Sequence, residues 1–355
     1  MRTAPLRIAQ VAPLNEAVPP RFYGGTERVV SYLTEELVAM GHDVTLFASG
    51  DSVTSARLVP CCPQALRLDS RVENRLAHHV VQLEKVMNAG AGFDVIHVHG
   101  DLIHYPWARR SPVPVVTTLH GRQNIADLPL LYREFDDIPL VSISDAQRAP
   151  IPWANWVGTV HHGLPLDLLA LGDRPDGYLA FLDRFSHEKR FDRAVAIARA
   201  TGLPLKVAAK ADPEERDYFQ HVVRPLLEDP LVEWVGEIGE ADKASFLGGA
   251  LAHLFPIDWP EPFGVVMIEA MACGTPTVAW PCGAVPEIIE NGGTGFIVSS
   301  IEAAAEAVAA CASFDRRACR AAFERRFSAS RMAADYVAVY RRLGVLGRPA
   351  LRVCD

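Results

Sequence analysis

The chain has 355 residues, of which 49% are hydrophobic and 22% charged, and its net charge is −8. That length exceeds one ordinary core and calls for two domains of a globular enzyme. The acidic balance argues against a nucleic-acid binder, because no basic excess is on hand to neutralise phosphates, and no apolar run approaches a membrane span.

In chain order the first fifty residues read as β-α-β. LRIAQVAP is a buried strand, Gly24-Gly25 break it, and Thr26 is placed to cap a helix whose apolar face is Val29, Val30, Leu33, Leu37 and Val38. Gly41 ends that helix and DVTLFAS is the next strand. A helix is expected from about Arg71 to Met87, then strands at FDVIHVH, VPVVTTLH and PLVSIS, all short apolar runs suited to a parallel sheet. HHGLPLDLLALGDRPDG, rich in Gly, Pro and Asp, reads as a linker. A second α/β series follows: the strand YLAFLD, a helix over about Phe191 to Ala200, the strand LPLKVAA, and a helix over about Pro213 to Leu227. LVEWVG, LAHLFP and TPTVAW then alternate with two more helices. Met332, Tyr336, Val339, Tyr340 and Leu343 make one face of a final helix from Ser328 to Leu343. The expected domains are 1–165, a linker 166–177, 178–327, and a last helix 328–346. Two such Rossmann-like domains leave a cleft at the C-terminal ends of their strands, where open α/β sheets bind ligands.

The segment Pro260 to Gly295 carries most of the chemistry. Glu261 sits on a Pro-rich loop, a helix runs from about Phe263 to Cys273 with Glu269 on its second turn, and Gly274 stops it before the strand TPTVAW. Free N–H groups at a helix start bind anions, and carboxylates accept from sugar hydroxyls. A ligand that is part phosphate and part sugar fits. Glu269 is flanked by Val265, Val266, Ile268 and Met271, so it needs a partner or a cleft. Arg184 and Lys189 follow the first strand of the second series, where a cation beside a helix start points to an anionic ligand. Gly24-Gly25 allow backbone to approach phosphate closely. His120 ends the strand VTTL. His97 and His99 share one strand face and read as structural or acceptor-side, with no third metal ligand in view. His161-His162 mark the linker. The seven cysteines, with Cys61 beside Cys62 and no metal spacing, read as free thiols of a reducing cytoplasm. The apolar part of MRTAPLRIAQVAP is too short for a signal peptide.

YGGTERVV, VTTLHG, VSISDAQR, VHHGLP, DRFSHEKRFD and PEPFGVVMIEAMACGTPTVA with CGAVPEII, in this order, resemble the retaining glycosyltransferases of family 4, the group 1 enzymes. The resemblance implies a GT-B fold, α/β in class, with two Rossmann-like domains facing a cleft and a last helix crossing back to the first domain. It implies transfer of a hexosyl group from a nucleoside-diphosphate sugar, UDP or GDP based, to an acceptor hydroxyl. It implies that Arg184 and Lys189 bind the diphosphate, Glu269 the ribose and Glu261 the donor sugar. The backbone at Phe263, Gly264 and Val265 and at Gly24 and Gly25 would meet phosphates or sugar, and His120 would touch the donor sugar near its 6-position and the reacting centre. His120, Arg184, Lys189 and Glu261 are thus the expected catalytic set. A same-face, ion-pair-like substitution is the implied route, and no metal or other cofactor is expected, there being no Asp-x-Asp.

Asp183 and Arg190 stand where relatives often carry glycine, and an acid beside a diphosphate is unhelpful. A nucleotide-sugar-binding relative with weak or no catalysis is the alternative. A dinucleotide oxidoreductase would want Gly-x-Gly-x-x-Gly, which Tyr23 to Glu27 do not supply. The acceptor stays unassigned, with the loops Asp51–Arg75 and Arg122–Asp137 as its expected contacts. The expected location is cytoplasmic, with peripheral contact on the inner membrane face as an option. Arg67, Arg71 and Arg75 would form a lipid-facing patch or a solvated helix face.

Overall fold

The computed structural model describes residues 4–346 except 22, 23, 101, 173 and 212. Tyr23, the first residue of the YGGTERVV motif, and Cys354 therefore lie outside the described residues. By contacts the chain divides into two units, Met1–Gly163 with Ala329–Asp355, and Leu164–Ser328.

The first unit is built on a seven-stranded parallel sheet. Its strands are β1 (Arg7–Val11), β2 (Asp43–Ser49), β3 (Arg57–Cys62), β4 (Val95–Val98), β5 (Val115–Thr118), β6 (Leu140–Ser142) and β7 (Trp156–Thr159), in the order β3-β2-β1-β4-β5-β6-β7. The order reverses between β1 and β4, the switch point of a doubly wound sheet. Hydrophobic strand residues are covered on both faces: Ala9, Val11, Ile96 and Val98 pack with Phe47, Tyr105 and Tyr132 on one side, and Leu46 and Ala48 with Val30 on the other. The helix Gly25–Ala39 buries Val29, Val30, Leu33 and Leu37. It starts one residue before Thr26, and its N-cap is Gly24, so Thr26 is a first-turn residue and not the cap. The helix expected from Arg71 begins at Arg75 and ends at Ala89, because Asn74 accepts a hydrogen bond from Ala77 N at 3.3 Å and fixes the start there. Arg71 lies ahead of that start and pairs with Asp69, while Arg67 pairs with Glu16 at 2.9 Å. The three arginines do not share a helix face.

The second unit has a six-stranded parallel sheet. Its strands are β8 (Tyr178–Arg184), β9 (Leu205–Lys210), β10 (Val232–Gly236), β11 (Ala250–Phe255), β12 (Thr277–Ala279) and β13 (Gly295–Ile297), in the order β10-β9-β8-β11-β12-β13. Its core gathers Phe181, Phe185, Phe191, Val207, Leu254 and Val278. The stretch expected over Pro213 to Leu227 is helical but irregular, with a π segment at Phe219–Val223. Helices Ile301–Ala310 and Arg316–Arg326 complete the unit. The stretch 166–177, expected as a linker, is tied to this unit. Gly172 N–H donates to Cys273 O at 3.0 Å, and Arg320 donates to Leu169 O at 2.7 Å.

The last helix, Ala329–Leu346, belongs to the first unit and packs on the helix Gly25–Ala39. It buries Met332, Tyr336, Val339, Tyr340 and Leu343, the face that its periodicity announces.

Candidate active site

The second unit brings two of the expected residues, Lys189 and Glu261, together with Asp183. β8 ends at Arg184, a short 3₁₀ turn carries His187–Lys189, and the helix Phe191–Thr201 follows. Lys189 is buried at 7% exposure, and its Nζ lies 2.9 Å from Asp183 and 2.8 Å from Glu261. Trp259 Nε1 donates to the same Glu261 oxygen at 3.0 Å. The ammonium also lies over the rings of Phe255 and Trp259, which suits a desolvated cation. Burial alone would lower the Lys189 pKa, but the two carboxylates outweigh it and hold the group protonated, its pKa raised. Burial raises the Asp183 pKa, and Lys189 offsets this only in part.

This geometry revises one expectation. Asp183, which stands where relatives often carry glycine, clamps the cation. The cation at this helix start is accounted for by internal partners, so its position alone does not call for a ligand. Arg190, in the place of a glycine, adopts the left-handed φ of 52° that glycine would take. Its guanidinium spans Asp192 and Asp258, both at 2.7 Å, which offsets the backbone cost. Arg184 is half-buried and pairs with Glu188 at 3.3 Å.

The Glu261 loop is pinned from the far side. Gly283 has φ +57°, and a Cβ there would stand 2.3 Å from Glu261 N and O, so only glycine permits this approach. Ala284 N–H donates to Glu261 O at 2.9 Å. The helix that follows runs Val265–Ala272 with Gly264 as N-cap, and no side chain caps its first turn. Phe263 is buried against Phe327, a packing role. Glu269 is 3% exposed, and Lys243 meets it at 2.6 Å from the helix Glu240–Gly248. Sequence reasoning required a partner for Glu269 and did not find Lys243. The available signal was a lone lysine in an acidic helix start, GEADKAS.

In the first unit, Gly24 stands where a Cβ would press on Pro20 at 2.8 Å, so the β1–helix connection needs glycine there. Gly25 faces open space. The helix they begin has no side-chain cap, which leaves an anion-compatible end.

His120 does not stand alone. Its Nε2 lies 3.0 Å from His99 Nδ1, and its ring stacks on His162 with centroids 5.4 Å apart. His99 Nε2 lies 2.7 Å from Gln10 Oε1, and Gln10 Nε2 donates to Tyr340 Oη at 3.0 Å. Tyr340 Oη is 2.7 Å from His97 Nδ1, and His97 Nε2 is 2.7 Å from Thr118 Oγ1, which meets Tyr336 Oη at 3.0 Å. Burial depresses all four histidines, His120 to about 4, so they are neutral near pH 7. His162, expected as a linker marker, is a member of this cluster, and His97 and His99 are wired to His120. Gln10, Tyr336 and Tyr340 were missed as polar groups, since each reads as part of an apolar strand or helix face. Among the described residues no three His, Cys, Asp or Glu side chains are arranged to hold a metal ion.

Two doubly wound parallel sheets, with a polar strand-end constellation in one unit and an imidazole cluster in the other, are the two-unit α/β build of the GT-B fold. The comparisons agree. Residues 23–140 match the profile of Glycosyltransferase Family 4, and residues 173–318 match that of Glycosyl transferases group 1. The chain belongs to this family of glycosyltransferases. It is 25% identical over 332 residues to a glycogen synthase of Mycobacterium tuberculosis, covering 78% of this chain and 79% of that one. It is 26% identical over 325 residues to a phosphatidyl-myo-inositol mannosyltransferase of Mycolicibacterium smegmatis, covering 82% and 81%. Among solved structures, a sucrose-phosphate synthase of Thermosynechococcus elongatus aligns with a TM-score of 0.78 at 20% identity, covering 96% of this chain and all of that one. HepE of Anabaena, solved with UDP-glucose, aligns at 0.73 and 15%, covering 95% of this chain and all of that one. Among the described residues no helix is long and apolar enough to cross a membrane.

Proposed function

We propose that this glycosyltransferase moves a hexosyl group from a nucleoside-diphosphate sugar, UDP or GDP based, to an acceptor hydroxyl with retention at the anomeric carbon. The observation that carries the reading is the match of residues 23–140 and 173–318 to this family, with Lys189 and Glu261 paired at 2.8 Å beyond the end of β8. Lys189 and Arg184 take the charge of the departing diphosphate. Glu269, beside Lys243, accepts from the ribose hydroxyls, and Glu261 accepts from the donor sugar. The uncapped helix ends at Gly264-Val265 and Gly24-Gly25 offer N–H groups to phosphate or sugar oxygens. His120 contacts the donor sugar beside the reacting centre. No carboxylate is assigned as a nucleophile, so a same-face departure and attack is the route favoured, with a leaving phosphate oxygen taking the acceptor's proton. Side chains carry the diphosphate charge, in keeping with the absence of Asp-x-Asp from the sequence. HepE, which binds UDP-glucose, shares the fold and supports a donor of this chemistry.

The test is calorimetry of the purified protein with UDP, GDP, ADP and their sugar conjugates, with and without magnesium, followed by product analysis by NMR. Binding of one nucleotide and an axial or equatorial product linkage matching the donor is the expected result. Inversion at the anomeric carbon, or no binding of any nucleotide, would overturn the reading. The clamp on Lys189 favours a second reading, a nucleotide-sugar binder of weak turnover, which predicts binding without transfer.

A further inference from the structure

The polar chain behind His120 has a direction, and that direction is set by one amide. We propose that Gln10 is a positioning residue that acts through His99 to hold His120 with its hydrogen on Nε2 and a bare lone pair on Nδ1. The inference rests on the reading above that His120 meets the donor sugar.

Gln10 has two unlike ends. Its amide nitrogen can only donate and its oxygen can only accept. With Nε2 donating to Tyr340 Oη and Oε1 facing His99 Nε2, that imidazole nitrogen must carry the hydrogen. His99 is neutral, so its Nδ1 is an acceptor, and the 3.0 Å contact then requires the hydrogen of His120 on Nε2. On the other side Tyr340, having accepted from Gln10, donates to His97 Nδ1, and His97 Nε2–H donates to Thr118 Oγ1. Every hydrogen from His120 to Thr118 points the same way. Aligned hydrogen bonds of this kind polarise and reinforce one another.

Reversing the amide would reverse every member. His120 Nδ1, which is buried and has no partner among the described residues, would then carry an N–H. An orphan buried N–H is the costlier of the two unsatisfied states, so the stated direction prevails. The amide also ends the chain chemically. A proton taken up at His120 can reach His99 but cannot cross Gln10, so the array fixes hydrogens and does not export protons. Where His120 meets the ligand through Nδ1, it therefore does so as a hydrogen-bond acceptor. A sugar hydroxyl satisfies it, and an acceptor-only group such as a uronate carboxylate does not.

The test is ¹⁵N–¹H long-range NMR of the full chain with ¹⁵N-labelled histidine, together with donor kinetics. His120 should show a protonated Nε2 and a bare Nδ1. Gln10→Leu should mix the His120 tautomers and lower kcat roughly tenfold, the loss of one transition-state hydrogen bond, with a smaller change in donor KM. Gln10→Glu keeps an acceptor facing His99 and should restore the His120 tautomer. A wild-type His120 with hydrogen on Nδ1, or a Gln10→Leu spectrum with an unchanged tautomer, overturns the proposal. If Gln10→Leu does not fold, the wild-type spectrum and His99→Asn, whose amide oxygen still accepts from His120 Nε2, decide it. Tautomers as expected, with transfer unaffected in both Gln10→Leu and His120→Ala, would overturn the placing of His120 at the donor and leave the amide's control of the array standing.

Discussion

Lowering the pH from 7 to 5 should destabilise this protein, and the first unit more than the second. His97, His99, His120 and His162 in the first unit and His253 in the second are all pushed down by burial, His120 to about 4 and His253 to about 3. In the unfolded chain each returns to the ordinary histidine value. Between the folded and unfolded values the unfolded state binds more protons, so stability is fully present above about pH 6.5 and is lost as pH falls. For one such group, going from pH 7 to 5 costs about 2 kcal/mol. His120 and His253 lie in different units, so each unit bears one such loss independently. The other three histidines add to the first unit's loss less than additively, because they share a network. Several kcal/mol is a large part of the roughly 5–15 kcal/mol that holds a domain together. Asp183 and Glu27, both raised by burial, act in the opposite sense and trim the loss. Urea unfolding followed by circular dichroism at pH 7, 6 and 5, at fixed ionic strength, reads this directly. A midpoint that holds steady or rises towards pH 5 would refute the assignment of neutral buried imidazoles.

Glu269→Ala removes a charged acceptor, so nucleotide Kd should rise by roughly tenfold or more, measured by calorimetry; an unchanged Kd means the ribose site lies elsewhere. Asp183→Asn keeps an acceptor for Arg184 N–H, which now bonds Asp183 Oδ1 at 2.8 Å, while releasing Lys189 from one of its two carboxylates. Nucleotide affinity should increase several-fold, roughly 1 kcal/mol, and a loss of affinity would show that the clamp positions Lys189 and does not restrain it. Tyr340→Phe strips a partner from both Gln10 Nε2 and His97 Nδ1 and should cost about 2 kcal/mol in denaturant unfolding. Tyr336→Phe, which loses only the bond to Thr118, should cost less.

The central strands of both sheets were legible because each is a run of apolar residues buried on two faces. The strands that were not, β3, β7 and β13, are all edge strands. β3 carries Pro60, which reads as a breaker and is tolerated because an edge leaves one side of the ladder free. β7 contains Gly158, and β13 is three residues long behind Gly292-Gly293. The candidate site could be named where polar residues break apolar runs, at the strand ends Arg184 and His120 and in the loop at Glu261. It was hidden where the partner came from far along the chain. Lys243 lies 26 residues from Glu269, and its one local mark is its place as a lone lysine in an acidic helix start. Tyr336 and Tyr340 fit an apolar helix face so well that their hydroxyls carried no signal. Arg190 looked like a departure from pattern, and its left-handed backbone shows that the geometry was kept while the residue changed.

Gln10 and Tyr340 are 330 residues apart, and His97 and Tyr340 are 243 apart. During synthesis the first unit's sheet leaves the ribosome long before the helix Ala329–Leu346 exists. Until that helix arrives, Gln10, His97 and Thr118 must remain hydrated or unpaired, which a finished core does not allow. Among the described residues the second unit is complete by Ser328, so it is free to fold while the first waits, reversing the usual N-terminal-first order. Released chains truncated before Tyr336 should therefore expose the first unit to chaperones and proteases while the second is closed.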